Sequence, residues 1–333
     1  MLSNVIASQI EFHKKYGGIV PEVASRKHAE VINLVIQEAL DKSKTTFKNI
    51  DAVAVTQGPG LIGSLLVGVC AAKSISYAMK IPLIAVNHLE GHMFANFLSS
   101  PLSFPSPSLM ERGVPSQSRD GVRFPFISLI VSGGHTMIVK ADKEYEILGQ
   151  TRDDAAGEAF DKVARFLNLG FPGGPVIDQL AKQGNPHAIE FKRPMLEKEF
   201  GYDFSFSGIK TAVVNYVMRN TKNVTRDELR MTNYEDIVAS FQQAVVDVLV
   251  EKTIRAAKAH KIKNICLAGG VSANSLLRKQ FTEHGKKEKL NVFIPSIEYT
   301  TDNAAMIACA AYQKFLKKDF SDSLLRPSQR LKL

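Results

Sequence analysis

Residues 126–134, FISLIVSGG, decide the fold class. The run from Phe126 to Ser132 is apolar with only small polar residues, the pattern of a strand buried on both faces. Gly133-Gly134 ends it, and Thr136 to Lys140 then reads as a partner strand. The same wording recurs later. Asn264 to Ala268 (NICLA) reads as a buried strand that stops at Gly269-Gly270 and leads into a helix whose N-cap candidates are Ser272 and Asn274. Working outward, residues 50–56 (IDAVAVT) form a strand broken by Gly58-Pro59-Gly60, and an apolar Gly- and Ala-rich helix follows from about Ile62 to Met79. Residues 82–86 (PLIAV) and 291–294 (NVFI) are further short strands, and Asp302-Asn303 open a helix that ends near Phe315. Strands alternating with helices predict an α/β protein. The two strand–Gly-Gly turns are expected at similar positions in two halves of a duplicated architecture, with a ligand held between the halves.

The chain has 333 residues, a length that suits two domains. The expected division is residues 1–125 as a first α/β lobe, 126–298 as a second with a helical part, and 299–333 as a C-terminal helix returning to the first. With 45% hydrophobic and 23% charged residues, the composition excludes a disordered, a collagen-like or a disulfide-stapled chain. Cys70, Cys266 and Cys309 lie far apart and form no CxxC pair, which argues against a thiolate zinc site and for a reducing compartment. The net charge of +9 favours a polyanionic partner such as RNA, or reflects a generally basic proteome. Basic clusters stand at Lys286-Lys287-Lys289, Lys314-Lys317-Lys318 and Arg326-Arg330-Lys332. No run reaches the ~20 apolar residues that span a bilayer, and the N-terminus lacks a basic stretch followed by an apolar one, so no membrane and no secretory signal are expected. The segment from Ser99 to Arg123, with Pro101, Pro105, Pro107 and Pro115, reads as a surface loop or insertion.

Three constellations carry possible chemistry. In His88-Leu89-Glu90-Gly91-His92 the histidines share a helix face with Cβ atoms about 5–6 Å apart, a spacing that suits two imidazole ligands on one metal and equally two surface histidines. Glu90 is turned about 200° around the helix from His88. It would point away from a metal-bound water, which weakens a metallopeptidase reading. A third ligand must come from elsewhere, and Asp302 is a candidate that also reads as an N-cap. Two imidazoles and a carboxylate suit Fe2+ or Zn2+. The glycine turns let backbone N–H groups approach a phosphate. Asp161, on a helix with Phe160, Val163, Ala164 and Leu167, reads either as a ribose-binding carboxylate or as part of a solvated face. The stiff turn Pro172 to Pro175 precedes Asp178.

Together these strings resemble the Kae1/TsaD/Qri7 family, the tRNA N6-adenosine threonylcarbamoyltransferases. The matching stretches are residues 8–26 (SQIEFHKKYGGIVPEVASR), 57–63 (QGPGLIG), 87–92 (NHLEGH), 131–136 (VSGGHT), 153–162 (DDAAGEAFDK), 204–211 (FSFSGIKT), 268–274 (AGGVSAN) and 301–306 (TDNAAM), in the family's order. The resemblance implies an actin/Hsp70/sugar-kinase-like (ASKHA) fold, two related α/β domains around a nucleotide cleft. It implies transfer of threonylcarbamoyl from threonylcarbamoyl-AMP to N6 of adenosine 37 in tRNAs that read codons starting with A. It implies His88, His92 and Asp302 as ligands of one divalent metal, Fe2+ favoured and Zn2+ the alternative. It implies Ile130, Val131, Ser132, Gly133, Gly134, Asp161, Gly174, Asp178 and Asn274 as contacts to the substrate or to an adenine nucleotide. No general base is identified, although His135 lies in the right motif. The implied partners are tRNA, a non-catalytic paralogue and a small P-loop ATPase, or a second copy of the chain in the mitochondrial arrangement; the implied location is the cytoplasm, or alternatively the mitochondrial matrix. Members usually open with a strand and hairpin carrying an IETSCD-like string, and this chain begins after it. That departure keeps open a catalytically weakened paralogue acting as an assembly partner.

Overall fold

The computed structural model describes residues 1–98, 122–220 and 234–333. In chain order its elements are α1 (Ile10–Lys14), α2 (Pro21–Ser43), β1 (Val53–Gly58), α3 (Ile62–Met79), β2 (Leu83–Asn87), α4 (His88–Leu98), β3 (Phe126–Val131), β4 (Thr136–Ala141) and β5 (Tyr145–Gln150). There follow α5 (Ala156–Phe166), α6 (Gly173–Ala181), α7 (Ser207–Asn220), α8 (Tyr234–Ala259), β6 (Asn264–Ala268), α9 (Ser275–Glu288), β7 (Asn291–Phe293) and α10 (Ala304–Leu316). The Ser/Pro-rich stretch expected as a loop lies outside the described residues except at 122 and 123. The chain divides into two compact units, Met1–Gly121 with Pro295–Leu333, and Val122–Ile294.

The first unit is built on a parallel pair, β1 with β2, in register from Val53↔Leu83 to Thr56↔Val86. Pro21 starts α2 at a position where its missing N–H costs nothing. The helix stops at Lys44, whose φ of 53° lies in the left-handed region. By length and composition α3 could cross a bilayer. Here it packs against α2 and β1 instead, and leaves Ile62, Leu66 and Tyr77 exposed. β2 runs straight into α4, and the Asn87 side-chain oxygen accepts the Leu89 N–H at 2.9 Å across that junction. α4 lies against α10 along its length, with Gly91 at the closest point: a Cβ there would stand 2.6 Å from Ile307 Cδ1.

The second unit holds a mixed sheet in the order β5-β4-β3-β6-β7, antiparallel from β5 to β3 and parallel from β3 to β7. This corrects the expectation that the two Gly-Gly turns sit in separate halves. Both belong to this unit, at the ends of the adjacent parallel strands β3 and β6, paired from Ile127↔Ile265 to Ile130↔Ala268. Gly269 has φ +87°, and a Cβ on it would stand 2.5 Å from Val131 O, so the close approach of these strand ends requires glycine at that position. α8 lies under the sheet and is buried on almost every face, which is why no single apolar stripe announces it in the sequence. Phe241 on α8 meets Phe160 on α5 edge to face at 5.2 Å. Burying side chains of that size contributes roughly 1.5–3 kcal/mol each, and this layer seats the starts of α5, α6 and α9.

Candidate functional site

α10 begins with Asn303 as its N-cap, the side-chain oxygen accepting the Met306 N–H at 2.9 Å. Asp302, one residue earlier, is therefore not the cap, and its carboxylate turns toward α4. Its Oδ1 lies 3.4 Å from His88 Nε2 and 3.2 Å from His92 Nε2. One ligand atom from each of the three residues lies within 4.8 Å of the others. The two rings meet edge to face with centroids 4.6 Å apart, as neighbours one helical turn apart must. His92 is buried, His88 half-buried, and Asp302 exposed. Donors ~2.1 Å from a shared ion stand ~3.4 Å apart at a tetrahedral angle, so the spacings fit a common divalent cation. An N₂O donor set suits Zn2+ or Fe2+ rather than Ca2+. Among the described residues His92 Nδ1 is buried with no hydrogen-bond partner, the nitrogen that metal-bound imidazoles usually tie to a neighbouring acceptor.

In the second unit the other expected residues gather at helix starts. The turn after β3 closes with the Ser132 N–H donating to His135 O at 2.8 Å, and the His135 N–H donating to Ser132 Oγ at 3.1 Å. Ile130 and Val131 are buried in the strand, whereas Gly133 and Gly134 face open space, with nothing within 4 Å of where a Cβ would stand. Gly174 is equally open. Asp161 on α5 accepts the Gly173 N–H at the start of α6 at 2.7 Å. Burial pushes the Asp161 carboxyl above its usual range, against the downward pull of the Gly173 and Gly174 amides and Arg165. Asp178 on α6 accepts both the N–H (3.1 Å) and the hydroxyl (2.8 Å) of Ser275 at the start of α9. Asn274 caps α9, accepting the Leu277 N–H at 2.9 Å; Ser272, the other cap candidate, is buried in the preceding turn. Each carboxylate thus fixes the entry of a neighbouring helix, and Asp178 Oδ2 also lies 3.9 Å from Lys182 Nζ.

The family model for TsaD, tRNA N6-adenosine threonylcarbamoyltransferase, matches residues 1–117 and 108–309. The chain belongs to the TsaD family. Among its relatives, the tRNA N6-adenosine threonylcarbamoyltransferase of Clostridioides difficile (strain 630) is 50% identical over all of this chain and 92% of its own length. Those of Clostridium kluyveri and Clostridium novyi are 48% and 50% identical, each over 100% of this chain and 91% of its own length. Among solved structures, full-length HypF in its phosphate- and nucleotide-bound form superposes with a TM-score of 0.57 at 13% identity. That match covers 88% of this chain and 42% of HypF. T. kodakarensis HypF gives 0.56 at 14% identity, covering 86% of this chain and 43% of its own. The chain thus spans less than half of HypF, and the likeness is one of fold.

Within this TsaD-family chain, two features escaped the sequence reading. Asp302 is within electrostatic reach of His28 on α2, and His28 in turn of His13 on α1. Partial burial holds the His28 imidazole low, with Asp302 raising it and His13 lowering it. The second feature is Asp153. It accepts hydrogen bonds from the hydroxyls of Ser205 and Ser207, each at 2.6 Å, and from the Phe206 N–H at 2.9 Å, joining the DDAAGEAFDK and FSFSGIKT strings. Both strings are visible in the sequence, but nothing in their spacing says that one receives the other.

Proposed function

We propose that this chain forms N6-threonylcarbamoyladenosine at position 37 of tRNAs that read codons starting with A. The reading rests on one observation above all: in a chain aligned end to end with TsaD-family relatives, His88, His92 and Asp302 converge on a common point. The C–N bond forms between N6 and the carbamoyl carbon of threonylcarbamoyl-AMP. The C–O bond to phosphate breaks, AMP leaves with the electron pair, and N6 loses its proton.

His88, His92 and Asp302 would hold one divalent cation, Fe2+ favoured and Zn2+ the alternative. Such an ion supplies Lewis-acid polarisation of a phosphate or carbonyl oxygen. Gly133 and Gly134, which follow Ile130, Val131 and Ser132, would present backbone amides to phosphate without a Cβ in the way. Asp161 and Asp178 would accept from the ribose hydroxyls, with Gly174 packing against the ligand and Asn274 contacting it from the cap of α9. N6 of adenine is a weak nucleophile, so positioning should supply much of the rate. We further propose the ASKHA class of fold, a cytoplasmic location, contact of the basic clusters with tRNA phosphates, and work alongside a non-catalytic paralogue and a small P-loop ATPase. Nucleoside mass spectrometry of tRNA incubated with the chain, its helpers and threonylcarbamoyl-AMP tests the reading. Appearance of the modified nucleoside supports it; its absence, with a 92%-covered relative active in parallel, overturns it.

A further inference from the structure

α8 carries more buried residues than any other helix among the described residues, and polar side chains inside such an element cost free energy unless they are paired. Gln242 sits there at 4% exposure. Its Oε1 accepts from Asn274 Nδ2 at 2.7 Å, between two buried side chains. The direction of this bond is forced. The oxygen of the Asn274 carboxamide must face the Leu277 N–H, which only an acceptor can satisfy. Its nitrogen therefore faces Gln242, and Gln242 must answer with oxygen. Two bonds at opposite ends hold the carboxamide in one rotamer and one orientation, leaving one N–H and one lone pair of Asn274 for a ligand. Gln242 also borders open space: with Lys182, Gln243, Ser275 and Lys279 it lines a cavity of about 270 Å³.

We propose that Gln242 is a positioning residue for adenylate binding, acting through Asn274. The inference rests on the reading of Asn274 as a nucleotide contact. With Gln242 in place the free N–H of Asn274 is aimed before the ligand arrives, so the ordering cost is met in folding rather than in binding. Without the Gln242 acceptor, the nitrogen end of the carboxamide is left unpaired in a buried position and turns to find another partner.

The test uses the full chain with AMP alone as calorimetric probe, alongside kcat and KM for threonylcarbamoyl-AMP. Gln242→Met keeps the shape and removes the acceptor; Gln242→Glu keeps an acceptor. The expected result for Gln242→Met is about a tenfold weaker AMP affinity and higher KM, with kcat within about twofold. Gln242→Glu should recover most of the loss, Asn274→Ala should reproduce it, and the double variant should be no worse than Asn274→Ala. Loss of kcat without a change in KM, equal damage from Gln242→Met and Gln242→Glu, or multiplying effects in the double variant would overturn the proposal. If Asn274→Ala alone weakens AMP binding and Gln242→Met does not, the inference falls and the site reading stands. If neither does, both fall. Should Gln242→Met not fold, Gln242→Asn, whose shorter amide cannot reach Asn274, takes its place with the same outcomes.

Discussion

Asp161 Oδ1 accepts the Gly173 N–H at 2.7 Å across a turn in which Gly173 has no room for a side chain. A Cβ there would stand 2.6 Å from Ala164 Cβ, 2.7 Å from Phe160 O and 2.8 Å from Asp161 Cα. Two of these three atoms are backbone and cannot yield cheaply. Gly173→Ala is expected to destabilise the fold by about 1–3 kcal/mol, the usual cost of overpacking. Gly174, one residue on and with no described atom within 4 Å of where a Cβ would stand, should accept alanine with a change of ~1 kcal/mol or less, in the stabilising direction for a helical position. Urea unfolding of the two variants, side by side, checks the contrast.

Gly133 and Gly134 provide a complementary case. Among the described residues nothing occupies the space a Cβ would take, so Gly134→Ala should melt within a few degrees of the parent chain. If that space belongs to the adenylate, the same variant loses AMP affinity several-fold in calorimetry. Unchanged affinity would remove this turn from the ligand site.

The histidine–aspartate cluster predicts a metal stoichiometry. Protein purified with Fe2+ or Zn2+ should carry about one ion per chain by elemental analysis. His92→Ala and Asp302→Asn should each reduce this well below one. An ion that binds only the folded chain stabilises it by about 2.7 kcal/mol at one hundred times its Kd. Chelation should therefore lower the melting temperature of the parent chain and leave that of His92→Ala unmoved.

Asp153 ties two strings together by accepting several hydrogen bonds. Burial alone would raise its carboxyl, but the hydroxyls of Ser205 and Ser207 and the amides of Phe206 and Ser207 outweigh it and hold it below the usual range. A carboxylate lowered in the folded state adds stability above its unfolded value, near pH 3.8, and this is lost as pH falls through the lower folded value. Asp153→Asn should cost about 1–2 kcal/mol at pH 7. The gap to the parent chain should close on acidification below pH 3.8, as followed by urea midpoints.

Lys252 runs the other way. It is fully buried on α8, donating to the carbonyls of Gly201 and Asp203 beside the Phe204 ring. Burial pushes its ammonium down to about 8, with Arg255 adding to the fall. The unfolded chain then binds more protons than the folded one between pH 8 and 10.5, so this group makes the fold more stable as pH rises through that window. Lys252→Met should remove that rising component from the pH dependence of the urea midpoint. It should also cost about 1–3 kcal/mol at neutral pH, because two carbonyls lose their donor.

Local faces were legible in the sequence, and long-range neighbours were not. The spacing of His88 and His92 already puts both on one side of a helix, and Asp302 stands out as a carboxylate just before another. What spacing leaves open is whether Asp302 caps its helix; Asn303 takes that role because its side chain reaches the Met306 N–H. α8 and α7 went unread because α8 is apolar on nearly every face and α7 carries its buried Ile209, Val213 and Val217 among polar residues. β5 was missed because one face of it is open to water. The placement of both glycine turns on one sheet depends on pairing Ile127 with Ile265, a contact across 138 residues (265 − 127). No local pattern encodes it.

The first unit is made of two stretches of chain that lie on either side of the entire second unit in the sequence. During synthesis α4 leaves the ribosome long before α10, and β2 must wait for the tail around Ser321, with which it bridges at Leu83. The second unit is contiguous and can collapse on its own while the first is still unfinished. On the proposed metal reading, capture by His88, His92 and Asp302 therefore reports on translation that has passed the whole second unit: a nascent chain halted before Asp302 carries both imidazoles and no third ligand.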